Sequence, residues 1–236
     1  MDVNALLNSV LGNAGAGIDK AVDKAKSANI PGGVMGGVAA GGLTALLLSN
    51  KKARKMGSKA LAYGGMAAVG GMAYKAWRDH QENQPASSAA TGGSGTAVPA
   101  LEAPKGSIFD LAVAQQTNTG EDMRLVLIRA MISAAKADGH IDADEQARIE
   151  QQIADQDIGA EEQRFLVEQL NAASDPIAIA RLSEGEEQAA EIYLVSLLAL
   201  DLDTPEERRY LDRLADALLL PEELKLQLEQ QALTVV

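Results

Sequence analysis

The sequence predicts an all-α protein made of two unlike parts: Gly-rich membrane-seeking helices, then an acidic helical bundle. Three observations carry that expectation. Apolar residues recur at spacings of three and four along most of the chain, and no stretch shows the two-residue alternation of a strand. Residues 1–84 hold ten Lys/Arg and five Asp/Glu, a net of +5, whereas residues 105–236 hold 11 and 27, a net of −16. With Glu102 between them the chain carries −12. At 236 residues, one or two domains are expected. There is no cysteine, which excludes disulfides, thiolate metal sites and a cysteine nucleophile. The two histidines, His80 and His140, are too far apart in sequence to suggest a histidine metal site.

Residues 1–30 open with Val3, Leu6, Leu7, Val10 and Leu11, one face of a short amphipathic helix that frays at Gly12–Gly17. An interfacial helix lying on a bilayer is the alternative. No Lys or Arg precedes Lys20, so the charged start of a secretory signal is missing.

Residues 31–80 form the Gly-rich membrane segment. The nineteen residues from Pro31 to Ser49 carry no charge and six glycines. As a helix they reach about 28 Å, close to the hydrocarbon thickness of about 30 Å. In water each interior Gly costs about 1 kcal/mol against Ala, whereas a bilayer enforces helix because the backbone has no other partner there. Gly33, Gly37, Gly41 and Ala45, with Ser49 beyond, recur every four residues and make a smooth face for helix association. A flexible Gly-rich linker is the plain alternative. Lys51, Lys52, Arg54, Lys55 and Lys59 make a basic loop, 51–59, of the kind that marks the cytoplasmic side. A second uncharged run, Ala60–Tyr74, is fifteen residues long, with Tyr63, Tyr74 and Trp77 placed like interfacial aromatics. It reaches only about 22 Å, short for a span. The expectation is therefore either a helical hairpin with both termini on the non-cytoplasmic side, or one span with the C-terminal half in the cytoplasm.

Residues 81–107, rich in Ser, Gly, Ala, Thr and Pro, read as a flexible linker. From 108 to 236 the pattern is helical throughout and long enough to bury a core. Met123, Val126, Leu127, Ala130, Met131 and Ala134 line one helix, ended by Asp138-Gly139. Capping boxes are expected at Asp142 with Glu145, at Ser183 with Glu186, and at Thr204 with Glu207, the last with Pro205 at the first helical position. A helix over about 160–173 turns Phe165, Leu166 and Leu170 inward, and Asp175-Pro176 starts a short one. Ile192 to Leu200 is apolar almost all round and reads as the buried centre. Pro221 starts the last helix, with Leu224 and Leu228. Two helix pairs repeat weakly, each with seven residues from cap to buried residue: Asp142 to Ile149, and Thr204 to Leu211.

The joints of that repeat are the candidate sites. Asp138, Asp142 and Asp144 lie close together in the first, joined by Glu145, and Asp201 and Asp203 occupy the second. The first joint fails as a calcium loop, because Ala143 stands where the loop needs glycine and Ile149 where it needs a bidentate glutamate. A weakly held divalent cation is the sharper reading, and helix caps with dipole partners the plainer one. No other cofactor is expected. Gly12–Gly17 follows no strand, and His140 has no nucleophile beside it, so neither catalytic residues nor an enzyme are expected. A domain at −16 repels nucleic acid, which is excluded as a partner.

Ser49-Asn50-Lys51-Lys52-Ala53-Arg54-Lys55, the run Leu127 to Asp142, and Glu187 to Asp201 with Thr204 to Arg208 together resemble the YebE-like family of bacterial inner-membrane proteins of unknown function. The C-terminal half is similar to the TerB-like all-helical domain. That resemblance implies an inner-membrane location. It also implies that Asp138, Asp142 and Glu145 bind metal or partners. The expected function is a membrane-tethered interaction or scaffold module without an assigned reaction, touching the lipid bilayer, itself through its Gly-rich helices, and an unknown protein partner. The alternative is a divalent-metal-responsive sensor using the two acidic joints.

Overall fold

The computed structural model describes residues 1–11, 65–83, 103–110, 114–139, 143–156, 158–200 and 202–234. Nine helices occur among them: α1 (Val3–Leu11), α2 (Gly65–Asn83), α3 (Met123–Ala135), α4 (Ala143–Ala154), α5 (Ala160–Asn171), α6 (Pro176–Ala180), α7 (Gly185–Leu198), α8 (Pro205–Ala217) and α9 (Glu222–Thr234). The described residues hold no strand, only an isolated antiparallel bridge between Gln116 and Asp122.

Helix α7 is the centre. Ala189, Ala190, Ile192, Tyr193, Leu194 and Val195 are all buried, so every face of the helix is covered. It packs on α3, α2, α9 and α8. Helix α3 in turn meets α1, α5, α6 and α8. Helix α4 packs on α5 through a face that includes buried Ile149 and Ile153. Ile149 and Leu211 are both buried, as their matched spacing predicts. Their helices are placed differently, with α4 set against α5 and α8 wedged among α6, α7 and α3.

Several helix starts follow local chemistry. The Asp122 carboxylate accepts the Arg124 N–H, and the Asp175 carboxylate accepts the N–H groups of Ile177 and Ala178, each satisfying otherwise orphaned donors. Thr204 and Glu207 form the expected reciprocal box, with Pro205 at the first helical position. Ser183 does not cap α7. The helix starts later, after Glu184, and the Ser183 hydroxyl donates to the Ala180 carbonyl at 2.8 Å. The Gln188 side chain takes over instead and accepts the Glu184 N–H at 2.7 Å. Residues 103–110 and 114–122 are turns rather than helix, closed by Gly106 and Gly120 in the left-handed region.

The largest departure from the sequence reading concerns the N-terminal helices. Leu6 and Val10 of α1 are fully buried, and α1 lies on α3. Arg124 Nη1 donates to Asn4 Oδ1 at 2.9 Å, and the Asp2 N–H donates to the Glu162 carboxylate. Helix α2, which takes in most of the run read as membrane-associated, packs on α7 and α9. Its Val69, Gly70, Gly71, Met72, Ala73 and Ala76 are buried. The small side chains that would suit close approach in lipid serve the same end here, and burial of Val69 and Met72 offsets the poor intrinsic helicity of glycine. Tyr74 and Trp77 pack within the bundle. Each ring lies 5.6 Å from the ring of Phe109, and together they hold the 103–110 turn on the bundle. Among the described residues no helix is long and apolar enough to cross a membrane. The Pro31–Ser49 run, with Gly33, Gly37, Gly41 and Ala45, and the basic loop 51–59 lie outside the described residues, as does 84–102 of the expected linker.

Candidate functional site

The acidic joints resolve only in part. Asp138 is half-buried in the turn after α3, which Gly139 closes with φ +69°. Asp144 and Glu145 sit in the first turn of α4, and their side chains, like all of Asp142, lie outside the described residues. Asp201 also lies outside them. Asp203 is exposed, and its N–H donates to Glu207 Oε2 at 3.0 Å. Glu207 itself is buried as the third residue of α8, the partner of Thr204 in the capping box. Among the described residues no three His, Cys, Asp or Glu side chains come together as a metal site.

What the structure does place beside the first joint is a cation of the chain's own. The Lys136 ammonium donates to the carbonyl oxygens of Gln169, at 3.3 Å, and of Leu170 and Ala172. These carbonyls end α5, where the helix leaves acceptors unpaired and the dipole is negative. Burial lowers the Lys136 pKa. The sequence hides this contact, because Lys136 caps a helix more than thirty residues away.

Three buried polar groups sit around α7. Glu191 is fully buried, and neither carboxylate oxygen has a hydrogen-bond partner. Desolvation raises its pKa well above the usual carboxylate range, which favours the neutral acid in the fold. Its sequence signal is plain in hindsight: it is the one charged residue between Gln188 and Asp201. The Tyr193 hydroxyl donates to Glu229 Oε1 at 3.0 Å, and Arg208 Nη1 lies 3.5 Å from the same oxygen. Burial and the Glu229 charge push Tyr193 ionisation upward. The Tyr210 hydroxyl bonds Ser133 Oγ at 3.0 Å, and burial raises its pKa to about 12. Tyr193, Tyr210 and Glu191 are all buried; the two tyrosine hydroxyls tie helices together, whereas Glu191 makes no such bond.

The seam of α2 with its neighbours also carries polar contacts. His80 is buried, with Nδ1 3.9 Å from Glu223 Oε2 of α9. Gln81 Nε2 donates to Glu186 Oε1 of α7 at 3.4 Å. On the opposite end of the ladder of exposure stands Leu219, 87% exposed and left-handed at φ +55° in the turn between α8 and α9. For a leucine that conformation costs about 1–2 kcal/mol. The conformation closes a Schellman motif at the end of α8, in which the Leu219 N–H donates to the Asp216 carbonyl and the Leu220 N–H to the Ala215 carbonyl, each at 3.1 Å.

The described residues form a helical bundle tied internally by the Tyr193 and Tyr210 hydroxyls. The chain belongs to the family described as protein of unknown function (DUF533), which it matches over residues 33–232. A relative from Yersinia enterocolitica, an uncharacterised protein in the ampR 5′ region, is 35% identical over 104 residues, covering 44% of this chain and 75% of that protein. No solved structure matches the chain.

Proposed function

We propose that this protein is a non-catalytic interaction module held at the bacterial inner membrane by its glycine-rich and basic residues 31–59. The bundle is the working part and the glycine-rich stretch is its tether. The observation that carries this reading is the docking of both α1 and α2 on the bundle. These helices bracket residues 12–64, so whatever that stretch binds is held close to the acidic body by two packed attachments rather than by a loose tail. The uncharged nineteen residues followed by five Lys/Arg match a lipid surface in chemistry, since an apolar run partitions into hydrocarbon and the cations meet anionic headgroups. The resemblance to YebE-like inner-membrane proteins and TerB-like domains agrees with this reading. Gly33, Gly37, Gly41 and Ala45 supply the face for association with a second copy in the bilayer.

The test is flotation of the full chain with vesicles of phosphatidylethanolamine and phosphatidylglycerol. Co-flotation is expected, together with its loss when residues 31–59 are removed. A full chain that stays at the bottom of the gradient refutes the tether.

A further inference from the structure

We propose that the outer face of α9 docks a basic amphipathic helix of a partner protein. The proposal rests on the interaction-module reading above, to which it adds the partner's chemistry, and makes no use of the tether.

Periodicity builds the face. Helix α9 turns Leu224, Leu228 and Ala232 inward, all of them buried, and packs on α2 and α7. At about 100° per residue, the opposite side carries Leu226 and Leu233, offset from one another by about 20°. Leu226 is 49% exposed and Leu233 67%. A surface helix ordinarily gives such positions to polar residues. Single exposed leucines need no explanation, but these two form a row.

A second observation lies at the start of α9. Leu219, seven positions before Leu226, is largely exposed and holds φ at +55°. The Schellman turn it closes suits glycine, which adopts that conformation without strain. Leucine there costs stability and gains little burial within the described bundle. Local strain of this kind is kept where function holds it. Leu219, Leu226 and Leu233 are half of the six large apolar side chains exposed among the described residues.

Charge selects the occupant. Glu222, Glu223 and Gln230 lie within about 60° of the leucine row, and the two glutamate side chains are largely exposed. Asp216, close to Leu219 in the chain, is exposed as well. Glu229 already meets Tyr193 and Arg208. Lys225, the lysine of α9, is mostly buried between Asp212 at 3.4 Å and Glu222 at 3.8 Å. A second copy pairing through this face would set glutamates against glutamates. Anionic headgroups would be repelled in the same way. A helix with apolar residues at i, i+4 and i+7, flanked by Lys or Arg, matches both the leucines and the carboxylates.

The probe is a fluorescein-labelled helical peptide of Leu, Ala and Lys with its leucines on one face, compared with a scrambled peptide of the same composition. Anisotropy is measured against the purified full chain without lipid. Preferential binding of the amphipathic peptide is expected, weakening as salt rises. Leu226→Asp and Leu233→Asp should each weaken it about tenfold, since each puts a charge where an apolar contact forms. General attraction of a cation to an acidic protein predicts the opposite, because each variant adds a negative charge. Ile177→Asp makes the same change on α6 and should leave the affinity at the parent value. Glu222→Lys with Glu223→Lys should shift preference to a peptide carrying Glu in place of Lys. Melting curves check that each variant folds, and the charge reversal reads the same face if a leucine variant does not. Unchanged or tighter binding by the folded aspartate variants, or equal binding of the scrambled peptide, overturns the proposal. So does a parent that sediments as a dimer when Leu226→Asp sediments as a monomer, which would give the face to a second copy. A parent that binds neither peptide overturns it too. Vesicle flotation reads the tether separately, so the proposal can fail while the earlier reading stands.

Discussion

Helix α7 has one charged side chain, Glu191, between Gln188 and Asp201; the first half of α2, from Gly65 to Tyr74, has none. By hydrophobicity alone the two look alike, and both end up in the core. They get there by different means. Helix α7 brings bulk, with Ile192, Tyr193, Leu194, Val195 and Leu197 filling space on every side. Helix α2 brings smallness, with Gly70, Gly71, Ala73 and Ala76 letting its backbone come close to α7 and α9 while Val69 and Met72 fill the gaps. An uncharged run thus says that a segment avoids water, and leaves open whether lipid or protein replaces it. The neighbours decide, and for α2 one of them, α9, lies some 140 residues further along the chain.

The strongest way to break this comparison is to delete volume from each helix. Leu194→Ala in α7 should cost about 2–5 kcal/mol, the usual range for a fully buried large-to-small change. Met72→Ala in α2 should cost a similar amount, because Met72 is also fully buried. Urea unfolding of the full chain measures both. A Met72→Ala variant that unfolds with the parent midpoint would mean that α2 is not part of the cooperative core.

A smaller effect sharpens the picture of α7. Glu191 is buried without partners, an arrangement that costs about 1–3 kcal/mol relative to an apolar side chain of similar size. Glu191→Leu should therefore stabilise the bundle by about that much. The effect depends on pH in a defined direction. Burial raises the Glu191 pKa, so the folded state favours the protonated form. Stability from that protonation is complete below the unfolded pKa and is lost as pH rises towards the folded value. The gap between Glu191→Leu and the parent should thus widen with rising pH, in a window that opens near the unperturbed glutamate pKa of about 4.3. Denaturant midpoints that run parallel across that window would show that Glu191 ionises as easily in the fold as outside it.

Much of the fold was legible because its signals are local. The Thr204 box, the Asp175 cap, the inward set Phe165, Leu166 and Leu170, and the all-round burial of α7 each follow from residues within a few positions of one another. The missed contacts share the opposite property. The Lys136 ammonium on the end of α5, the Phe109 ring between Tyr74 and Trp77, and the docking of α1 and α2 are contacts between segments far apart in the chain. Periodicity gives a helix its apolar face but not the partner of that face. The sequence offers two acidic joints as the candidate site, but Asp142 and Asp201 lie outside the described residues and no metal cluster forms among those described. The burial of Glu207 and the exposure of Asp203 come from three-dimensional placement.

The smallest expected effect concerns how α7 begins, a point where α7 is better fixed than a residue pattern suggests. The sequence offers Ser183 with Glu186 as a box, yet the Ser183 hydroxyl faces back and donates to the Ala180 carbonyl. Removing it leaves the N-terminal donors of α7 as they were, so Ser183→Ala should change stability by only a few tenths of a kcal/mol, as substitutions away from such features usually do. Gln188 is buried, and its amide joins two segments: Oε1 accepts the Glu184 N–H, and Nε2 donates to the Gln116 carbonyl at 3.4 Å. Gln188→Ala loses both bonds, so it should cost about 1 kcal/mol. Gln188→Glu keeps the acceptor for Glu184 but turns a donor towards Gln116 into a negative charge beside a carbonyl oxygen. It should therefore be at least as damaging as alanine at neutral pH and recover in acid, where the carboxyl is protonated and donates again. Thermal melts of the three variants at two pH values separate these cases. Equal losses for Ser183→Ala and Gln188→Ala would return the cap to Ser183 and make the entry to α7 the local feature that its sequence describes.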